Sequence, residues 1–507
     1  MSKKQIAARK KDLTAAGSYR EWREISLQLD TLEGAAAWKD DDTEEHYDYL
    51  LIRERLGQMR ALRRQGAVRE LTFLLAEGLH GNLGNISNPA LFSYARIGTK
   101  CLITEYVEEV ARCLDFICVG DFKDFSFDEK ILFFKRSGTS FGRSALLLSG
   151  GATLGMFHLG VIKALFLEGL LPRVISGSSA GSIIAAMTAT RTDAQLPEIF
   201  DPDNIKLAAF QRVSLKKLVR GSTLMDTRYL EACLLSNIGS ESFVQAFERT
   251  RRILGITVSP AEANQQPRLL NYLTAPNVII NKAVQASCAI PGVFEPVTLQ
   301  AHDFEGSTVP YMRSKQWIDG TLANDLPLLR LARLHNVNHY IVSQTNPHVV
   351  PFLQDESVRR AGLLNLGAEL LRVAGRDALK SAQKNLHSYS AGRVVDKLND
   401  ILQQRYSGDV TIFPQQTSRQ LMSMLVSPTS DDIRSYLRQG ERATWPKLER
   451  IRLQTTISRS FENCLAWLKS HSEEQTFAKL KPILRAESIR HGHEITAAAS
   501  SATLSLA

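Results

Sequence analysis

Residues 144–190 read SALLLSGGATLGMFHLGVIKALFLEGLLPRVISGSSAGSIIAAMTAT. The run Ala145–Leu148 is short, continuous and apolar, and it ends in Ser149-Gly150-Gly151. A strand buried on both faces of a parallel sheet has that texture. A helix-spaced stretch follows. Arg173-Val-Ile-Ser176 then reads as a second strand, and the residues after Ser179 as a second helix. Strand, helix, strand, helix is a βαβ unit. The stretch therefore predicts an α/β fold with a mainly parallel sheet. Further strands are expected at 251–260, 315–320 and 338–344, with a helix over 275–290 stopped by Pro291.

The same stretch carries chemistry. Gly177-Ser-Ser-Ala-Gly181 fits GxSxG with Ser179 at its centre. At a sharp strand-to-helix turn, the flanking Gly177 and Gly181 relieve crowding and let the serine Oγ project into a cleft. Helix N-terminal amides just beyond it favour a developing negative charge. The pattern alone is weak, but the strand before it and the small-residue helix after it supply the required context. Ser149-Gly-Gly-Ala-Thr-Leu-Gly155 ends the preceding strand. A right-handed crossover puts both strand ends on one sheet edge. The backbone N–H groups of this loop could then form an oxyanion hole, with Gly151 and Ala152 as the expected donors. A glycine-rich turn at a helix start could instead cradle a phosphate or a dinucleotide. Ala152 breaks the GxGxxG spacing, and no Gly-Lys-Ser/Thr follows to make a Walker loop.

The proton acceptor is the harder question. His302, His335, His339, His348 and His387 follow the serine, but none sits at a Gly-flanked strand end. His339 and His348, on either side of a strand, are the closest. Asp319 is better placed: it ends the short apolar piece Trp317-Ile318, is followed by Gly320, and leads into TLANDLP. A Ser-Asp dyad would follow if the two meet. A carboxylate is a weak base near neutrality, so the oxyanion hole and a dry cleft must then supply more of the rate. In isolation, Asp319-Gly320 is an ordinary turn.

The rest of the chain frames this core. The 507 residues allow two or three domains, and the composition is that of a soluble globular protein. Residues 1–140 are expected to form a helical domain and 141–352 the catalytic domain. Residues 353–490 should form a helical C-terminal region, broken by an extended piece at 407–415, and 491–507 a disordered tail. In the N-terminal region Ile52, Leu56 and Met59 share one helix face, and Gly66 reads as the stop. The net charge of +9 favours anionic partners such as acidic lipid headgroups or nucleic acid, and the Lys/Arg run at 3–11 could lie on lipid or be a solvated terminus. No RNP-like or helix-turn-helix pattern supports nucleic acid. The six cysteines form no CxxC or zinc-spaced cluster and read as reduced and buried. Neither a signal peptide nor an 18-residue apolar span is recognisable, so a cytoplasmic protein with peripheral membrane contact is expected, neither secreted nor membrane-spanning.

Together these residues resemble the patatin-like phospholipase family, with its oxyanion motif GGGxRG, nucleophile motif GxSxG and dyad aspartate in DG[GA]. Gly150, Gly151 and Ala152 stand at the oxyanion positions, with Gly155 closing that motif. Ser179 stands at the nucleophile position, and Asp319 with Gly320 at the base position. Asn324 and Pro327 match the pattern that follows, and Ala286-Ser-Cys-Ala-Ile-Pro291 with Phe294 resembles the family's ASxAxPxxF segment. Three departures stand out: Ala152 for the third glycine, Leu154 for the usual Arg, and Thr321 for Gly or Ala. LLNYLTAPNVII, WIDGTLANDLP and HNVNHYIVSQTNPHVVPF are similar to the branch of intracellular triacylglycerol lipases, as are the N-terminal YREW, DYLLIRERL and GLHGNLGNISNP. The resemblance spans about residues 18–465. It implies a patatin-type three-layer α/β/α core and a serine acyl-ester hydrolase that uses no metal or cofactor. The implied substrate is triacylglycerol at a membrane or lipid-droplet surface. A phospholipase A-type preference or lysophospholipid acyltransferase activity is the enzymatic alternative. A non-catalytic lipid-surface protein is the alternative of another class. Sequence gives no oligomeric state.

Overall fold

The computed structural model describes residues 3–206, 225–262, 265–291, 293–320, 325–347, 349–350, 407–415 and 426–472. The helical stretches expected over 353–406 and 473–490, the tail at 491–507, and Thr321, Asn324, His348 and His387 lie outside them. Contacts divide the chain into two compact units: Met1–Ala37, Phe92–Gly98 and Gly142–Leu453 form one, and Trp38–Leu91, Thr99–Phe141 and Gln454–Ala507 the other.

The first unit is built on a seven-stranded sheet in the order β4-β3-β2-β1-β8-β9, with β7 also paired to β3. Its strands are β1 (Arg143–Leu148), β2 (Val174–Gly177), β3 (Ile253–Pro260), β4 (Arg268–Leu270), β7 (Trp317–Asp319), β8 (Val337–Ser343) and β9 (Val410–Ile412). A separate hairpin holds β5 (Gln300–His302) and β6 (Thr308–Pro310). The pairs β1–β2, β1–β8, β2–β3 and β8–β9 are parallel, and β3 pairs antiparallel with β4 and β7. The expected βαβ unit is present, and the extended piece at 407–415 becomes the edge strand β9.

Alternation along the strands builds two cores. Leu146, Leu148, Ile175 and Ile256 join the larger cluster, whereas Ala145, Leu147, Val174 and Val342 face a smaller one. Successive side chains of a strand point to opposite faces, so the sheet is covered on both sides. Helices α3 (Phe157–Leu167), α4 (Ala180–Ala189), α7 (Ile280–Ser287) and α9 (Ser430–Thr444) contribute to the larger core. Helix α8 (Leu328–His335) covers the other face through Leu331. The result is the expected three-layer α/β/α arrangement. Helices α1 (Lys3–Ala15) and α2 (Tyr19–Leu32), read from sequence as part of the N-terminal region, belong to this unit. Helix α2 starts where Ser18 accepts the N–H of Glu21, and it buries Trp22, Ile25 and Leu29 in the larger core. Helices α5 (Thr227–Ile238) and α6 (Phe243–Thr250) also contribute to this core. Where α3 and α9 cross, a Cβ on Gly160 would lie 1.9 Å from the Leu437 carbonyl oxygen, and one on Gly440 2.2 Å from that of Phe157. Only glycines permit so close a crossing.

The second unit is helical. Helix Tyr49–Gln65 buries Ile52, Leu56 and Met59 on one face and ends at Gly66 in the left-handed conformation, as the spacing predicts. Phe134 and Phe141 pack on Phe461, with ring centroids 6.0 and 5.9 Å apart. Lys100 is 0% exposed. Its Nζ donates to the carbonyls of Trp38 (2.9 Å), Asp41 (2.8 Å) and Thr43 (3.4 Å) and sits 4.2 Å from the centre of the Trp38 ring. Among the described residues, no helix is long and apolar enough to cross a membrane.

Candidate active site

The turn at Ser179 follows from how closely β2 and α4 approach β1. A Cβ on Gly177 would lie 2.3 Å from the Gly181 carbonyl oxygen, and one on Gly181 2.2 Å from that of Leu148. The N–H of Ser178 donates to the same Leu148 oxygen at 3.1 Å. The chain can turn this sharply only with Ser179 at φ 50°, ψ −125°, a conformation costing an ordinary residue about 1–3 kcal/mol. The other serines differ: Ser178 Oγ donates to the Asp325 carbonyl (2.7 Å), Ser182 Oγ donates to the Ser179 carbonyl (2.6 Å), and Ser176 is buried within β2, away from the bend. Ser179, 6% exposed, lines an apolar pocket with Ala152, Met156, Ile183, Met187, Leu234 and Phe294.

The glycine loop lies over the same pocket. The Gly150 N–H donates to Asp325 Oδ1 at 3.0 Å. Among the described residues no protein acceptor takes the N–H of Gly151 or Ala152. Ala152 has φ 48°. The position read as a glycine replaced by alanine therefore keeps a left-handed backbone at a cost of about 1–2 kcal/mol. Gly155 packs on α4, where an added Cβ would lie 2.6 Å from that of Ala180, and Leu154 is buried. Beneath the loop is fully buried His158. Its Nε2 is 3.0 Å from the Ser149 carbonyl and its Nδ1 2.7 Å from Ser343 Oγ. The carbonyl can only accept, so Nε2 carries the hydrogen. Burial, opposed only by that carbonyl, lowers this imidazole to about 4, and it is neutral near pH 7.

Sheet register locates Asp319. Along β3, Ile256 pairs with Gly177 of β2 on one side and with Leu270 of β4 on the other. Two residues on, Val258 pairs with Arg268 of β4 and with Asp319 of β7. β7 therefore continues the lane that β2 leaves, and Asp319 lies roughly 7 Å beyond Gly177 along it. The segment after α7 ties the two ends together. Ser287 Oγ accepts the Ser179 N–H at 3.0 Å and donates to the Thr257 carbonyl at 2.8 Å, while Ala289 O accepts the Asp319 N–H at 3.0 Å. Asp319 is 5% exposed, and Gly320 packs on Thr257. Cys288 lies between them on the pocket wall, where burial first and the Asp319 charge second push its thiol well above the usual range.

Histidine is absent from the described lining of this pocket. His339, one of the two closest from sequence, bonds Ser144 at the opposite end of β1, with Nδ1 3.0 Å from Oγ. His335 stacks on Tyr272, and His302 faces the Ser240 carbonyl. Among the described residues no group of three or more His, Cys, Asp or Glu could hold a metal ion.

Ser287, His158 and Asp325 were not singled out from sequence. Ser287 lies inside ASCAIP and Asp325 inside NDLP, two segments that carried the resemblance. Asp325 is fully buried. Desolvation drives its carboxyl up to about 7, the Gly150 N–H pulls it back, and the nearby Asp319 charge adds to the rise.

Two family models and several known proteins match this sequence. Residues 1–139 match a domain of unknown function (DUF3336), and residues 146–332 match the patatin-like phospholipase family. A triacylglycerol lipase of Schizosaccharomyces pombe (ptl3) is 35% identical over 469 residues, 88% of this chain and 94% of that protein. A triacylglycerol lipase of Arabidopsis thaliana (SDP1L) is 35% identical over 473 residues, 90% of this chain and 58% of that longer protein. The crystal structure of VipD from Legionella pneumophila aligns with 59% of this chain and 67% of its own at 13% identity and a TM-score of 0.27.

Proposed function

The chain belongs to the patatin-like phospholipase family, and from that premise we propose that it is a serine acyl-ester hydrolase releasing fatty acids from triacylglycerol at a lipid surface. One observation carries the reading: Ser179, held at φ 50°, opens onto an apolar pocket while Asp319 occupies the strand lane just beyond it. In this mechanism Ser179 Oγ attacks the ester carbonyl and Asp319 accepts its proton. The N–H groups of Gly151 and Ala152 hold the oxyanion. Collapse of the tetrahedral intermediate expels the alcohol, which takes the proton from Asp319. Water, deprotonated by Asp319, then attacks the acyl-Ser179 ester; the acyl–oxygen bond breaks, Ser179 Oγ takes the proton back from Asp319, and the fatty acid leaves. His158 cannot be the base, because both its ring nitrogens are engaged beneath the loop. The apolar wall suits an acyl chain, and the excess of basic residues suits docking on an anionic lipid surface.

Lys206 favours a second substrate on the same machinery, being the one charged residue among the described lining residues. An ammonium there would attract a phospholipid headgroup, giving phospholipase A-type hydrolysis or acyl transfer to a lysophospholipid. Ser179→Ala and Asp319→Asn should each lower fatty-acid release from emulsified trioleoylglycerol at least about 10³-fold. Retained activity in either variant removes that residue from the mechanism. Turnover of triacylglycerol against phosphatidylcholine in matched interfaces, in wild type and Lys206→Met, separates the two substrates.

A further inference from the structure

Asp325 lies six residues past Asp319 and belongs to neither glycine motif, yet it touches both of the loops that form the site. Its Oδ1 accepts the Gly150 N–H at 3.0 Å, and its backbone carbonyl accepts Ser178 Oγ at 2.7 Å. Gln344 and Asn346, just past the end of β8, lie near its carboxyl group and favour its charged form. Gly150 is also held from its other side, where Thr345 Oγ1 donates to its carbonyl at 3.2 Å. Thr345 further fills the space a side chain at 151 would need, since a Cβ there would lie 2.4 Å from Thr345 Oγ1. The two peptide units that meet at Gly150 are thus both held, one at the Gly150 N–H and the next, which carries the Gly151 N–H, at the Gly150 C=O. The two N–H groups that follow it are those left without an acceptor among the described residues.

We propose that Asp325 is the positioning residue of the oxyanion loop: its carboxyl oxygen pins the Gly150 N–H and so aims the Gly151 and Ala152 amides at the ester oxygen beside Ser179. The inference rests on the hydrolase reading above. Oxyanion donors lower a barrier only if they point correctly before charge develops. With no acceptor at 325, the buried Gly150 N–H must rotate to find another partner, and the next two amides turn with it. What the N–H needs is an oxygen in that place, whether charged or neutral. Asparagine can therefore stand in for Asp325, and alanine cannot. Since Ser178 bonds the backbone of Asp325, the nucleophile turn keeps that bond in either variant.

The test uses the full-length protein and three readouts. In Asp325→Ala, kcat on p-nitrophenyl butyrate should fall about 10²-fold with KM within about threefold, the signature of lost transition-state alignment. The affinity of a long-chain trifluoromethyl ketone, which forms an oxyanion on Ser179, should weaken in parallel. Asp325→Asn should stay within about tenfold of wild type in both. Hydrogen–deuterium exchange over residues 148–156 should quicken in Asp325→Ala and not in Asp325→Asn. That readout holds even if no ester is turned over, an outcome that would overturn the hydrolase reading alone. If Asp325→Ala does not fold, Asp325→Asn decides: a loss beyond 10²-fold in a folded protein overturns the proposal. So does a folded Asp325→Ala with unchanged loop exchange, or one that raises KM and leaves kcat intact.

Discussion

The sheet edge around Ser179 and the cage around Lys100 both bury polar groups, and they settle them differently. Lys100 has no exposed surface, and three carbonyls, an indole face and the Glu44 carboxylate at 3.9 Å meet its charge. At the sheet edge, Ser179 and Ala152 stand at positive φ, two successive N–H groups face no protein acceptor among the described residues, and Asp325 is buried. The cage satisfies its groups from within. The edge keeps unsatisfied groups and strain, and holds them with a neutral histidine and a serine relay. Local rules broken at the sheet edge and kept at the cage are what the proposed active site would require.

Crowding is the first way to break this comparison. Gly181→Ala drives a Cβ to 2.2 Å from the Leu148 oxygen. It should cost about 3 kcal/mol or more and remove hydrolysis with it, as chemical denaturation and an ester assay would read. A tolerated alanine would mean that the turn is not tightly held. Next is Lys100→Met, which takes this donor from the carbonyls of Trp38, Asp41 and Thr43. It should cost about 3 kcal/mol in urea denaturation while kcat at low temperature stays within about twofold of wild type.

Acidity sharpens the contrast. The Asp325 carboxyl titrates near 7 in the folded chain, against 3.8 ordinarily. A raised folded-state value contributes stability that is fully present below the unfolded pKa and lost as pH rises through the folded one. Wild type should therefore lose a few kcal/mol between about pH 4 and pH 8 from this group. Asp325→Asn lacks that loss, so its denaturation midpoint should gain on wild type from pH 5 to pH 8. A gap that does not move with pH would mean that the carboxyl is not desolvated as described. The smallest effect belongs to Ala152→Gly. Relief of the left-handed alanine is offset by a freer unfolded chain, leaving stability within about 1 kcal/mol of wild type. A larger loss would give the methyl group a packing role.

Much of the edge was legible because it is local. Ala145–Leu148, the GSSAG turn and Asp319-Gly320 each declare a strand end within a few residues. Three-residue strands such as β4 and β5 carry no periodicity to read. Ser287, His158 and Asp325 look like ordinary polar residues until partners far along the chain bury them: Thr257 for Ser287, Ser343 for His158, Gly150 for Asp325. The placement of α2 beside the sheet was hidden for the same reason, since Tyr19 hydroxyl donates to Glu449 at 2.9 Å, 430 positions away.

The crossing of α3 and α9 has a consequence in time. Helix α3 and strands β1, β2, β3 and β8 are made by Ser343, but β9 and the helix that carries Gly440 come much later. At about 5–20 residues per second, the roughly 100 residues between Ser343 and Thr444 keep the ribosome occupied for some 5–20 s. Throughout that delay the groove at Gly160 and the β8 edge stand open, an apolar helix face beside an unpaired strand. The nascent chain is therefore most exposed to aggregation after Ser179 and Asp319 have been synthesised and before its sheet is closed, and slow, cool expression should raise its yield.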